Sequence, residues 1–406
     1  MQTESSTTFV RDRFTWLAYF MLAFFSYMVS TRGPFIPFLR DELNLSYSVA
    51  GMHLSAFAIG MVLAGLTTDR LARRYGRKWV FWVGGGASIV FTGIFLVVHQ
   101  PVLTIGSTFF QGLTSGWLLV TIQATLSDHH GEKRAIAITE SNIAASASAV
   151  LAPLAVGTFE DIGMGWRMAL VVGMITWGLA ALWWHNVEIP PTQQVVKKAT
   201  EHHLPLPSVF WAYLGVIFLG AVIEWGIIFW GADFLEKNVG LRATTASTMM
   251  TIFFLAMVIG RTIGSRLSRS IDVKHLLLMA YGLLVIGFIP LWLAPTPAIS
   301  LIGLFIAGLG VANGFPLTLS AALGMVPPPE TDRASGRISF IAGLAIFLGP
   351  QVLGVVADIS GIRTAYGLIG VISIIMVGLV YWANHLPEHI PGITHEEVKT
   401  YDADKL

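Results

Sequence analysis

The sequence contains no cysteine in 406 residues. That excludes disulfides, cysteine-ligated zinc, iron–sulfur clusters and cysteine nucleophiles, and leaves the compartment open. Charge is also scarce. Asp, Glu, Lys and Arg make up 12% of the chain, against about 25% in a soluble globular domain. The net charge of +1 gives no reason to expect a nucleic-acid partner. No glycine-rich phosphate cradle of the nucleotide-hydrolysing kind occurs, so an ATP-driven pump would need its motor from elsewhere. The first thirteen residues are mostly polar, and the apolar run after them is too long for a signal-peptide core. No cleavable leader is expected.

What the chain does have is apolar surface: 54% hydrophobic residues and a mean hydropathy of +0.68. No soluble core of this size could bury so much. Runs of about 20 apolar residues, each enough to cross a bilayer, recur from end to end. Twelve spans are expected, near 14–38, 47–67, 79–98, 102–126, 135–158, 166–186, 209–234, 243–264, 274–294, 298–326, 335–357 and 362–384. The chain thus reads as an all-α membrane protein of two six-helix bundles, 1–187 and 209–406. A polar linker, 188–208, carries "PPTQQVVKKATEHHLPLP" between them. Trp79, Trp183, Trp184, Tyr381 and Trp382 fall near span ends, as interfacial anchors do.

Lys and Arg set the orientation. With both termini and the even-numbered loops on one side, that side collects 19 of the 25. The other side has Arg40, Arg167, Lys237, Arg242 and Arg363, and Arg32 lies within a span. Both termini are therefore expected in the cytoplasm, in a bacterial cytoplasmic membrane. The chain also repeats itself. Positions 38–73 and 234–269 share ten identities in 36 without a gap, including Met61-Val62 with Met257-Val258, and Arg70, Leu71 and Arg73 with Arg266, Leu267 and Arg269. "PLAVGTFEDI" from Pro153 is echoed by "PQVLGVVADI" from Pro350. Internal repeats of this kind mark secondary transporters, whose substrate site lies near the midplane between the halves.

The loop after the second span, "GLTTDRLARRYGRK", resembles the signature of the major facilitator superfamily between helices 2 and 3, at Gly65, Asp69, Arg70 and Arg73, with the second glycine displaced to Gly76. "GWR" at Gly165–Arg167 and "GRTIGSRLSR" in the second half resemble the same family. The resemblance covers nearly the whole chain and implies no substrate. It implies a gating latch on the basic side: Asp69 against the positive N-terminal end of the helix starting near Ser335, and Arg73 with Asp128. Topology alone would also account for the basic cluster.

Charge inside a span costs about 2.5–3.5 kcal/mol on insertion scales, so each instance needs a reason. Arg32 and Glu224 are the two clear cases. In the repeat frame Arg32 corresponds to position 228, four residues from Glu224, or about 6 Å in height. The resemblance puts helices 1 and 7 on one central cavity. Three readings follow: a fixed Arg32–Glu224 salt bridge between the halves, Arg32 reaching the outer interface, or an anion-binding Arg32 beside a protonatable Glu224. Gly33-Pro34 and Pro37 should break the helix nearby, as an ordinary end or as a hinge. Glu140, one turn into helix 5, is a second candidate for proton coupling and could pair with an arginine on that side. Asp233 and Arg261 are expected near interface water. Gln123, Asn142 and Asn313 could bond substrate or hold helices together, and Tyr27, Trp225 and Trp230 could wall the cavity. "DHHGE" from Asp128 and "EHH" from Glu201 lack helical metal-ligand spacing, so no metal is expected.

The reading is a proton-linked secondary transporter of a small organic solute, an anion slightly favoured, working by alternating access as a monomer without a cofactor. A proton-exchanging multidrug or metabolite exporter is the rival within the class. Family exporters tend to carry "GPxxGG" in helix 5, where this chain has "APLAVG", Ala152–Gly157. A polytopic membrane enzyme, or a receptor that moves nothing, are the rivals outside it.

Overall fold

The computed structural model describes residues 9–191, 206–293, 296–327 and 330–386. Most of the expected linker, with its "EHH", lies outside the described residues. Fourteen α-helices are described: α1 (Arg13–Ser30), α2 (Arg32–Leu43), α3 (Tyr47–Tyr75), α4 (Arg77–Val97), α5 (Pro101–His130), α6 (Arg134–Asp161), α7 (Arg167–Trp184), α8 (Ser208–Lys237), α9 (Ala243–Leu267), α10 (Val273–Leu293), α11 (Pro297–Val311), α12 (Gly314–Gly324), α13 (Thr331–Ser360) and α14 (Ile362–His385). They make twelve spans, because α1 with α2 and α11 with α12 are each one broken span. By length and composition alone, eleven apolar stretches could cross a membrane. One of them, Pro101–Asp161, is 61 residues, or about 90 Å of helix. That is two spans, α5 and α6, joined by the 3-10 turn Gly131–Lys133.

Local chemistry sets the ends. Asp12 caps α1 by accepting from the Thr15 backbone N–H at 2.8 Å, and Thr296 caps α11 through Ile299 at 3.3 Å. Burial pushes the Asp12 carboxyl up, but the two bonds from Thr15 and the contact with His129 outweigh it and hold it below its ordinary value. Asn44 ends α2 in the left-handed conformation. Gly76, at φ +86°, turns α3 into α4, a geometry few side chains tolerate. Pro34 and Pro37 cannot donate to the carbonyls four residues back, and the first span breaks at Thr31.

The halves meet through pseudo-equivalent pairs, α3 on α13 and α6 on α9, with α2 on α8. Contacts concentrate at the end away from the basic loops. There Arg40 donates to Asp233 at 2.7 Å. Asp358 accepts the backbone N–H groups of Tyr47 and Ser48 at 2.6 and 2.9 Å, capping α3 from the other half. Its counterpart in the repeat, Asp161, accepts from Arg242 at 3.0 Å and Thr244 at 3.2 Å, at the start of α9. The "EDI" and "ADI" echo in the sequence is thus a pair of clasps. Gly33 abuts α8 so closely that a Cβ would lie 1.8 Å from the Ile228 carbonyl oxygen. On the outside, large apolar side chains such as Ile359, Val102 and Leu182 are exposed, with Trp183, Tyr381 and Trp382 near helix ends, as a bilayer requires.

Candidate functional site

Below the closed end, the halves separate around a cavity of about 1280 Å³. Its wall comes from α6, α8, α9, α12 and α13, and it extends to Arg266 and Arg269 at the basic-loop end of α9. Glu224, Trp225, Asn142 and Asn313 lie on this wall, as does Arg261. Glu224 forms no hydrogen bond or ion pair among the described residues, and Arg261 is the cation whose field reaches it. Arg261 itself donates to the Ala312 carbonyl at 3.3 Å. Asn313 sits at the break between α11 and α12 and donates to the Gly260 carbonyl at 2.6 Å. Asn142 donates to the Ile138 carbonyl at 2.8 Å. Among the described residues the wall therefore carries three arginines against one carboxylate.

Several expectations are corrected. Arg32 does not meet Glu224. It is buried within the N-terminal half, donates to Gln111 at 2.8 Å, and lies 4.0 Å from the centroid of the Phe57 ring. It lines a separate small pocket that shares no residue with the large cavity. Neither the salt-bridge reading nor the interface-reaching reading fits. Sequence fixes depth along a helix, but each residue turns the side chain by 100°, and Arg32 faces its own bundle.

Tyr27 holds α1 to α7 through the Ala169 carbonyl at 2.9 Å. Trp230 is fully buried and donates to the Pro350 carbonyl at 2.9 Å, fastening α8 to α13. Gln123 is exposed outside the cavity wall. Glu140 is off the wall too, and is held by Arg11 through both oxygens and by the Tyr19 hydroxyl at 3.0 Å. Asp233 does not reach water: it is fully buried against Arg40.

Among the described residues the latch expected on the basic side is not formed. Asp69 pairs with Arg73, one turn away on α3, and both are exposed along with Gly65 and Arg70. Asp128 is taken by Arg77 at 2.6 Å rather than by Arg73. Arg77 follows the Gly76 turn, which carries its side chain inward, where it is buried. Arg167 of "GWR" grips Glu42, at 2.8 Å for one of its two contacts. His129 and His130 of "DHHGE" contact Asp12 and Thr15, at 2.7 and 2.9 Å. No cluster of three potential metal ligands occurs among the described residues.

Sequence reasoning missed the Arg40–Asp233 pair and the position of Arg261 on the cavity wall. The first was accessible. Arg40 corresponds to position 236 in the repeat frame, three residues from Asp233, by the same depth comparison that suggested Arg32 with Glu224.

Two pseudo-symmetric six-helix halves clasped at one end, around a cavity holding an unpaired acid, define a polytopic membrane carrier. Known proteins agree. The sequence profile of the Major Facilitator Superfamily matches residues 15–237 and 231–399, and the chain belongs to that superfamily. It is a transporter, not an enzyme. It is 23% identical over 356 residues to an MFS-type transporter of Yersinia pestis described as uncharacterised, covering 84% of this chain and 88% of that one. It is 24% identical to the multidrug resistance protein MdtL of Escherichia coli O157:H7, covering 89% and 93%. The solved structure of a D-xylose-proton symporter superposes with a TM-score of 0.76 at 13% identity, covering 94% of this chain and 98% of that one.

Proposed function

We propose that this protein is a proton-linked secondary transporter of a small organic anion, working by alternating access between two bundles joined by the 188–208 linker. The observation that carries this reading is Glu224, an acid without a direct partner in the wall of the large cavity, under the field of Arg261. An anion seated on Arg261 withdraws the cation's support from Glu224's ionised form. Glu224 then takes a proton, and anion and proton cross together. The excess of Arg261, Arg266 and Arg269 over a single carboxylate supports an anionic solute. Trp225 and Asn313 supply an apolar wall and a polar group to orient it.

The distribution of 19 basic residues against five supports a cytoplasmic opening, with the Arg40–Asp233 end outside. In that frame the Asp69 latch is open because the cytoplasmic side is open, and it forms in the outward-open state. Both halves of the cavity come from one chain, and the scheme is proposed for a monomer.

Exchange of a solute for protons is the second reading, favoured by the likeness to MdtL. A cationic solute would pair with Glu224 and compete with its proton. Proteoliposomes loaded with a panel of labelled organic anions and cations separate the two. The symport reading expects anion accumulation driven by an inward proton gradient and lost in Glu224→Gln, with exchange retained. Accumulation that survives Glu224→Gln removes Glu224 as the coupling site. Cation efflux against the gradient replaces the symport reading with the exporter.

A further inference from the structure

The pocket around Arg32 takes no part in that transport scheme, and it has a problem of its own. Arg32 is 7% exposed. Among the described residues it spends one of its five N–H donors, on the Gln111 side-chain carbonyl oxygen, and its Nε has no partner. No carboxylate among the described residues pairs with it or acts on it. The nearby His53 is committed to Thr104 at 2.9 Å and to its own helix, and carries no negative charge to offer. A buried guanidinium with only a neutral amide oxygen and a ring face around it is an uncompensated charge, which is expensive.

Beside it is a void of about 20 Å³. That volume suits one particle of about water size. Ser88, Thr92 and Ser115 stand around the void, each donating to a carbonyl of its own helix, at 2.7, 2.8 and 2.5 Å. Those carbonyls belong to helical ladders, so the hydroxyl protons are free to turn inward. A neutral water in the pocket would leave the guanidinium charge uncompensated.

We propose that this pocket binds one monatomic anion of halide size, held by Arg32 with the Ser88, Thr92 and Ser115 hydroxyls, as the missing counterion of the N-terminal half. The site is separate from the transport cavity, so its occupancy adjusts the stability of one bundle without competing with solute.

The test uses purified full-length protein in detergent, with thermal unfolding read in sodium chloride, sodium bromide and sodium gluconate at equal ionic strength. Chloride and bromide should raise the midpoint by a few degrees over gluconate, since a ligand that binds only the folded state stabilises it. Arg32→Gln should lose the difference. Because that variant could fail to fold, Gln111→Glu is the decisive partner. It keeps the shape and supplies an internal carboxylate, so its midpoint should no longer depend on halide. Crystals soaked in bromide should carry an anomalous peak within hydrogen-bond reach of Arg32. Equal wild-type midpoints in all three salts, a halide shift retained in Gln111→Glu, or bromide peaks only elsewhere would each overturn the proposal.

Discussion

Arg32 and Arg40 lie eight residues apart on the same broken span; each lies over an aromatic ring, but among the described residues only Arg40 of the two has an acid partner. Arg40 reaches across to the other half, donates to a fully buried Asp233 at 2.7 Å and lies 3.6 Å from the centroid of the Tyr47 ring. Arg32 turns into its own half and finds an amide and a ring. Between them lies Gly33, where α2 meets the backbone of α8. Beyond that crossing the two halves touch, so an arginine can pair across them. At the crossing itself the side chain has no room on the α8 side and is driven inward. A charge in a span is therefore explained by its direction as much as by its depth.

The contrast can be broken most severely at Asp233. Asp233→Ala leaves Arg40 buried without its acid, and losing one partner of a buried pair costs about 3–5 kcal/mol. The unfolding midpoint should fall, and the closed end should loosen. The absence of native cysteine allows that opening to be read with one introduced thiol. Ser247→Cys, at a fully buried position whose native hydroxyl donates to the Pro34 carbonyl at 2.7 Å, should resist thiol reagents in the parent and react in the Asp233→Ala background.

Gly33→Val attacks the crossing instead of the pair. Its side chain cannot enter the space held by the Ile228 carbonyl, so α2 and α8 must separate. Labelling at the same reporter should rise, with Arg40 and Asp233 both intact. Unchanged labelling would show that the ion pair alone closes this end.

The clasps rank next. Asp358→Ala removes the cap that α3 receives from α13, worth about 1 kcal/mol. Its effect on labelling should be visible but smaller. The weakest element is the N-terminal contact of Asp12 with Thr15 and His129. The folded Asp12 carboxyl lies below its ordinary value, so its contribution is present above about pH 4 and is lost as pH falls through that lower value. Partial exposure screens it, and Asp12→Asn should change the midpoint at neutral pH by under about 1 kcal/mol of stability. Proteolysis of the N-terminal segment at pH 3 and pH 7 would read it directly.

Most of the fold was legible in the sequence, because hydropathy and basic-residue counts report on a bilayer that forces every span to be a helix. The repeat also carried real geometry: Asp161 and Asp358, matched in the echo, are matched clasps. The candidate site was legible only in height. Glu224, Trp225, Asn142 and Asn313 lie on the cavity wall, whereas Tyr27, Trp230 and Gln123, at plausible depths, face a neighbouring helix or the outside of the cavity. A uniformly apolar helix such as α8 gives no amphipathic stripe from which to read direction. Arg77 could not be told from Arg73 without the Gly76 turn, which swings one inward and leaves the other exposed.

The side from which Glu224 can be reached decides whether the cavity opens to the cytoplasm. Glu224→Cys, the only thiol in the protein, is exposed to a membrane-impermeant maleimide in right-side-out and inside-out vesicles. A cavity open to the cytoplasm gives labelling from the cytoplasmic side, protection from the outside, and loss of that protection when Asp233→Ala is added. Equal labelling from both sides in the parent, or labelling only from the outside, would contradict a cavity open to the cytoplasm and closed by Arg40 and Asp233.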